Sequence, residues 1–248
     1  MEDCTPLLLP LINALQSPAQ EDVNGKSTLE LEARLGRYDT STGRFEAGLY
    51  PLYFQTLVSA LDGCKAWERV TDWEESVDTF YTLPDGQTAR TSTSRTGAVS
   101  VTKSRLASQQ LLCMGTMAAT NSQSGLDVRL SLSRETVLDP PFTVCPTQVR
   151  IKQRRTYMAV NWRFDLSRTW SGASRSAAEA SQMSEGPVYE VELEFTPTPK
   201  YLQEETAEYI ARSMLYKLWH LVQPLGQDDS MQYMGLQEYM QKYRKQPQ

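Results

Sequence analysis

The stretch Tyr189-Glu190-Val191-Glu192-Leu193-Glu194-Phe195 sets three carboxylates against three large apolar side chains in strict alternation. At the two-residue period of a strand, this puts Glu190, Glu192 and Glu194 on one face and Val191, Leu193 and Phe195 on the other. Same-face neighbours on a strand lie roughly 7 Å apart, close enough for like charges to repel and too far to share a proton. Either water screens these groups or a cation holds them.

The same division recurs upstream. Glu30, Glu32 and Arg34 oppose Leu29, Leu31 and Leu35, and Arg150, Lys152 and Arg154 oppose Val149 and Ile151. Arg163, Asp165 and Ser167 oppose Trp162, Phe164 and Leu166, while Asp127, Arg129, Ser131, Ser133 and Glu135 oppose Val128, Leu130 and Leu132. A half-exposed antiparallel sheet accounts for any one of these strands. It accounts less well for the set, because the charges are sorted by sign: acidic on two strands, basic on another, mixed on two. The fold predicted is α+β: a closed antiparallel barrel of roughly eight strands, a tunnel with a charged lumen whose outward apolar faces are covered by helices.

Composition bounds the rest. The chain has 248 residues, 40% hydrophobic and 22% charged, as expected of a soluble globular protein, and is read as a single domain. No run approaches the roughly 20 apolar residues of a membrane span, and Met1-Glu2-Asp3 lacks the basic start of a signal peptide, so an intracellular place and no membrane partner are expected. Cys4, Cys64, Cys113 and Cys145 include no C-x-x-C pair, which points to reduced thiols. A net charge of -5 argues against binding nucleic acid by bulk electrostatics, so any phosphate site is concentrated, and no DNA partner is expected.

Along the chain, residues 1–27 predict a short apolar helix and a polar link, and 28–196 the barrel strands with a core helix over 50–62. Gly36 is read as the end of the first strand, Leu83 to Gly86 as a turn, and Tyr157 to Arg168 as one strand. Two small-residue stretches, 115–125 and 171–186, read as mobile loops. A helix is expected from Leu202 to Val222 within 200–226, with Ala207, Ile210, Met214, Leu218 and Leu221 on its buried side, and a short surface helix in the tail 227–248.

Leu29-Glu30-Leu31-Glu32-Ala33-Arg34 and the closing Tyr189–Phe195 run, together with Val149-Arg150-Ile151-Lys152-Gln153-Arg154-Arg155 and Trp162-Arg163-Phe164-Asp165-Leu166-Ser167, resemble the triphosphate tunnel metalloenzymes, in the RNA triphosphatase branch of compact protozoan type. The resemblance spans most of the chain from Leu29 to Phe195. It implies removal of the γ-phosphate from the 5′ end of nascent RNA, the first step of mRNA capping, in the nucleus. It implies Glu30, Glu32 and Glu194 as ligands of one Mg²⁺ or Mn²⁺, an assignment that carboxylate oxygens suit. Arg90, Lys103, Lys152, Arg154 and Arg163 become the phosphate-binding set, Glu135 and Glu192 the acidic groups near the attacking water, and Asp165 with Ser167 a supporting polar pair. Asp78 is a further match. Two positions depart from the pattern: Arg34 stands where Lys is common and Ser167 where Thr is common.

Other chemistries lack their residues. His220 is the lone histidine, which excludes histidine-pair sites and leaves packing or a helix-end contact as its role. Cys64 to Arg69 and Cys145 to Arg150 are each one residue short of a cysteine-phosphatase loop. No P-loop and no K-x-D-G is present, so a guanylyltransferase would be a separate polypeptide partner. Two rival functions stay open: a tunnel phosphohydrolase acting on nucleoside triphosphate, tripolyphosphate or thiamine triphosphate, and a non-catalytic module that binds polyphosphate or RNA ends.

Overall fold

Alternation becomes strand at each of these segments. The computed structural model describes residues 1–17, 26–114, 126–139, 142–225, 232–235, 237–238 and 241. Among the described residues the strands are β1 (Ser27–Asp39), β2 (Arg44–Glu46), β3 (Arg69–Val70), β4 (Glu74–Thr82), β5 (Thr88–Ser94), β6 (Gly97–Met114), β7 (Asp127–Leu138), β8 (Pro146–Ala159), β9 (Trp162–Gly172), β10 (Val188–Phe195) and β11 (Gln232–Gly235). The helices are α1 (Thr5–Leu15), α2 (Pro51–Gly63), α3 (Arg175–Ser184), α4 (Pro199–Glu204) and α5 (Ala207–Val222).

Eight strands close into an antiparallel barrel in the order β1-β7-β6-β5-β4-β8-β9-β10, and β10 returns to β1. Closure pairs Glu32 with Glu194 and Arg34 with Glu192, so the first and last barrel strands meet at their charged residues. Short β2, β3 and β11 extend β1, β8 and β6. The helices lie outside. Leu8, Leu11 and Ile12 of α1, Phe54 and Leu57 of α2, and Ile210, Met214 and Leu218 of α5 bury against Leu31, Leu130, Leu132, Leu166 and Leu193 of the strands. Each such side chain contributes about 1.5–3 kcal/mol on burial, which holds the apolar faces toward the helices and turns the charged faces away from them. Tyr157 fastens α2 to the barrel: its hydroxyl donates to Asp62 Oδ1 at 2.7 Å, and Arg155 pairs with the same oxygen at 2.9 Å.

Several expectations are corrected. Gly36 does not end β1, which runs on to Asp39. A Cβ there would collide with the Glu46 carbonyl and come within 2.8 Å of the Phe45 ring, so the glycine serves the close approach of β2. Tyr157 to Arg168 is a hairpin, turning at Asn161 in the left-handed region with φ 59°. Residues 171–186 are not a loop. β9 continues to Gly172, and α3 is capped by Ser174, whose hydroxyl accepts from Ala177 N–H at 3.2 Å. A Cβ at Gly172 would lie 2.5 Å from Ala178 N, so the small residues let helix and strand pack closely. The helix expected from Leu202 to Val222 is broken: α4 ends at Glu204, and Thr206 caps α5 by accepting from Tyr209 N–H at 3.2 Å. Stretch 115–125 lies outside the described residues, as does most of the tail, whose described part includes strand β11. The turn at Leu83 to Gly86 and the burial of Ile210, Met214, Leu218 and Leu221 are as expected.

Candidate active site

Register decides which charges meet. Glu30 and Glu32 lie on the face of β1 opposite Leu31 and Ala33, and Glu194 is directly opposite Glu32 on β10. Lys103 of β6 reaches across the intervening β7 to pair with Glu30 and, at 3.1 Å, with Glu32. Arg163 pairs with Glu194 and, through Nε at 3.1 Å, with Asp165. Buried Asp165 also accepts from Thr156 Oγ1 at 2.6 Å and pairs with Arg154 at 3.0 Å. Arg90 of β5 meets Glu135 of β7 at 3.3 Å, again over an intervening strand. Arg34 pairs with Glu192 at 2.6 Å and with Glu32 at 3.3 Å.

These contacts set the protonation of the acids. Burial pushes Glu194 up, Arg163 pulls it down, and the nearby Glu30 and Asp165 charges raise it again, to about 8. The upward shift of Glu194 and the downward shift of Glu30 favour a proton on the Glu194 side of their contact. Glu30 is held below the ordinary carboxylate range: burial opposes this, but Lys103 prevails. Glu192, also buried, is driven well below that range by Arg34, Lys152 and Arg154.

The basic wall is β8. Lys152 is 4% exposed, and among the described residues its ammonium has no carboxylate within 4 Å. Burial lowers its pKa to about 8, with the like charge of Arg154 adding to the effect and Glu192 opposing it. Arg150 binds Asp78 through Nε at 3.2 Å and Nη2 at 2.7 Å, and Ser92 donates to the same carboxylate at 2.6 Å. The Nε–H groups of Arg90 and Arg154 are buried with no acceptor among the described residues. A cleft of about 190 Å³ is lined by Asp78, Arg90, Ser92, Lys152 and Arg154, and one of about 830 Å³ by Glu30, Glu135 and Glu194 with Gln16, Thr28 and Gln203.

Every residue named from the sequence thus enters an ion pair, in several separate groups along the charged strand faces, except Lys152, which has no carboxylate within 4 Å, and Ser167, whose buried hydroxyl makes no hydrogen bond, both among the described residues. Sequence reading left out Arg150, Glu190 and Thr156 as site residues. For the first two the signal was present, since both sit at charged-face positions of runs already recognised, with Arg150 3.8 Å from Glu190. Thr156 carries no such mark. His220 packs edge-on against Tyr216 on α5, away from these groups.

Among the described residues no three His, Cys, Asp or Glu side chains stand as a preformed metal centre, because Lys103 and Arg163 occupy the glutamates. The donors nonetheless suit a hard divalent cation. Glu30, Glu32 and Glu194 stand close together on adjacent strands, and the upward pKa shift of Glu194 marks a cluster short of positive charge.

No family model matches the chain, and no curated protein matches it. Solved structures do. The Pct1 RNA triphosphatase of S. pombe superposes with a TM-score of 0.62 at 20% identity over 89% of this chain and 88% of that one. A second Pct1 structure, in complex with the Spt5 CTD, gives 0.65 at 18% identity, covering 90% and 92%. The Mimivirus capping enzyme triphosphatase gives 0.59 at 14% identity, covering 90% and 98%. At these identities the likeness is one of architecture: the chain has the closed-barrel fold seen in those RNA triphosphatases.

Proposed function

We propose that the protein is a metal-dependent 5′-triphosphatase that removes the γ-phosphate of triphosphate-ended RNA, leaving the diphosphate end that capping requires. The observation that carries this reading is Lys152: a buried ammonium with no carboxylate within 4 Å among the described residues, between Arg150 and Arg154 on one strand face. A buried charge is tolerated when paired, and the missing partner here is an anion. Buried Nε–H donors of Arg90 and Arg154 without acceptors favour the same ligand, and phosphate oxygens would satisfy all of them. On this reading the charged strand faces enclose the tunnel, and a triphosphate lies along it.

Glu30, Glu32 and Glu194 would hold Mg²⁺ or Mn²⁺, which would neutralise the γ-phosphate and polarise its oxygens. Lys152, Arg154 and Arg90 bind and orient the phosphates, with Lys103 and Arg163 moving from the glutamates toward the substrate. Asp165 keeps Arg154 and Arg163 in register through its two ion pairs. Glu135 is the group we assign to orienting the attacking water, since Glu192 is ion-paired with Arg34 and lies in the field of Lys152 and Arg154. In-line displacement then needs positioning and charge stabilisation, not a covalent intermediate. A nuclear place beside a separate guanylyltransferase fits this activity.

The test is phosphate release from triphosphate-ended RNA, ATP and tripolyphosphate, each with Mg²⁺ and with Mn²⁺. Preference for RNA is expected. Release from tripolyphosphate alone would make the protein a general tunnel phosphohydrolase, and release from none would leave a binding module.

A further inference from the structure

Arg129 and Arg105 stand outside the set just described. Arg129 lies on the charged face of β7, between Val128 and Leu130, which bury on the helix side. Its Cα partner on β1 is Arg34, which is held by Glu32 and Glu192. Among the described residues neither Arg129 nor Arg105 has a carboxylate within 4 Å. Arg129 Nε is buried without an acceptor. Burial and the like charges of Arg105 and Arg34 all disfavour its guanidinium.

The guanidinium has a built seat. Its Cζ lies 4.8 Å from the centre of the Phe45 ring. Phe45 is carried on β2, and β2 can cross β1 this closely because position 36 has no Cβ. An aromatic ring beside an arginine with no carboxylate within 4 Å among the described residues, with a second arginine in its field, is the kind of arrangement by which proteins hold single-stranded nucleic acid, basic groups taking phosphates and rings taking bases. The position fits as well. Glu192 pairs with Arg34 and lies within the field of Lys152, and Arg129 is the Cα partner of Arg34 on the neighbouring strand, so the strand register carries the charged face from the triphosphate set toward Arg129. An anion no longer than a triphosphate is already matched by Lys152, Arg154 and Arg90. A chain with further phosphates reaches Arg129.

We propose that Arg129 and Arg105, with Phe45, form a subsite for the internucleotide phosphates and a base of single-stranded RNA next to its 5′ end, and so give preference for a polynucleotide over a free polyphosphate. This rests on the function proposed above. The test compares wild type with Arg129→Gln, Arg105→Gln and Arg129→Lys on two substrates: a triphosphate-ended RNA of about ten nucleotides and inorganic tripolyphosphate. Binding of the same RNA with a 5′-hydroxyl end is followed by fluorescence anisotropy across a salt series.

Arg129→Gln is expected to raise KM for the RNA about tenfold, as for loss of one charge-assisted contact, and to reduce the salt slope of RNA binding by about 0.7. Tripolyphosphate turnover stays unchanged, and Arg129→Lys keeps most of the salt slope. Equal losses on both substrates would place Arg129 in the triphosphate site and overturn the subsite, as would unchanged RNA binding. Better competition by an acidic phosphopeptide than by RNA would also overturn it. Should wild type release no phosphate from RNA, the proposed function falls, and the anisotropy arm still decides the subsite. Should Arg129→Gln melt early, Arg105→Gln carries the same outcomes.

Discussion

Replacing Lys152 by Met should make the ligand-free protein more stable while removing its activity. The side chain is 4% exposed, and burial together with Arg154 depresses its pKa from 10.5 to about 8. At 1.36 kcal/mol per unit, charging this amine in the fold costs about 3 kcal/mol, which Met, of similar length and with no charge, does not incur. The sign follows from linkage. Between pH 8 and 10.5 the unfolded chain binds the proton that the folded protein has lost, so wild-type stability rises with pH across that window. The advantage of Lys152→Met is therefore complete below about pH 8 and vanishes near pH 10.5. For a chain of this size about 3 kcal/mol corresponds to about 6–12 °C in Tm. Thermal melts in chelator at pH 7 and pH 10, with phosphate-free buffer, measure it. Adding tripolyphosphate should raise wild-type Tm much more than that of the variant. A variant that melts at or below wild type at pH 7, or whose gain is the same at both pH values, would refute the reasoning, the second by showing that packing and not charge is responsible.

Glu30→Ala, Glu32→Ala and Glu194→Ala should each lower phosphate release at least ~10²-fold with circular dichroism unchanged. Independently of activity, Mn²⁺ at about 100 times its dissociation constant should stabilise wild type by about 2.7 kcal/mol, and Glu194→Gln should lose most of that shift in calorimetry. Arg154→Lys should damage turnover more than Arg155→Ala, because Arg155 makes the partly exposed pair with Asp62 and a contact over the Tyr157 ring on the helix side, the pair being worth about 1 kcal/mol or less. Gly36→Ala should cost about 1–3 kcal/mol in urea unfolding, since its Cβ meets the Glu46 carbonyl and the Phe45 ring; no loss would mean that β2 yields freely.

The barrel was legible because the two-residue alternation of Glu30 to Leu35, Val149 to Arg154 and Tyr189 to Phe195 is a direct image of strand geometry, and opposite faces had opposite chemistry. What composition misread was close packing. Gly172, Ala177 and Ala178 look like loop residues by side-chain volume, yet small volume is what seats α3 on β9. Gly36 looked like a terminator for the same reason. The break at Glu205 was hidden because the apolar spacing of α5 begins beyond it, and Thr206 was not read as a cap. At the candidate site the residue types were readable, while their pairing was not: that Lys103 bridges Glu30 and Glu32 over β7, or that Lys152 is left without a carboxylate among the described residues, depends on shear between strands that no linear spacing encodes.

The seam between β1 and β10 joins residues more than 150 positions apart in sequence, Glu32 with Glu194 and Arg34 with Glu192. During synthesis, then, the amino-terminal half of the carboxylate cluster waits on the ribosome until the last barrel strand emerges, and β1 remains an open edge in the meantime. Contacts of such long range form slowly and leave unpaired strands exposed to other chains. On the function proposed above, activity therefore arrives only once the last barrel strand is in place, and a nascent or truncated product lacking Val188–Phe195 should be inert toward triphosphate ends rather than partly active.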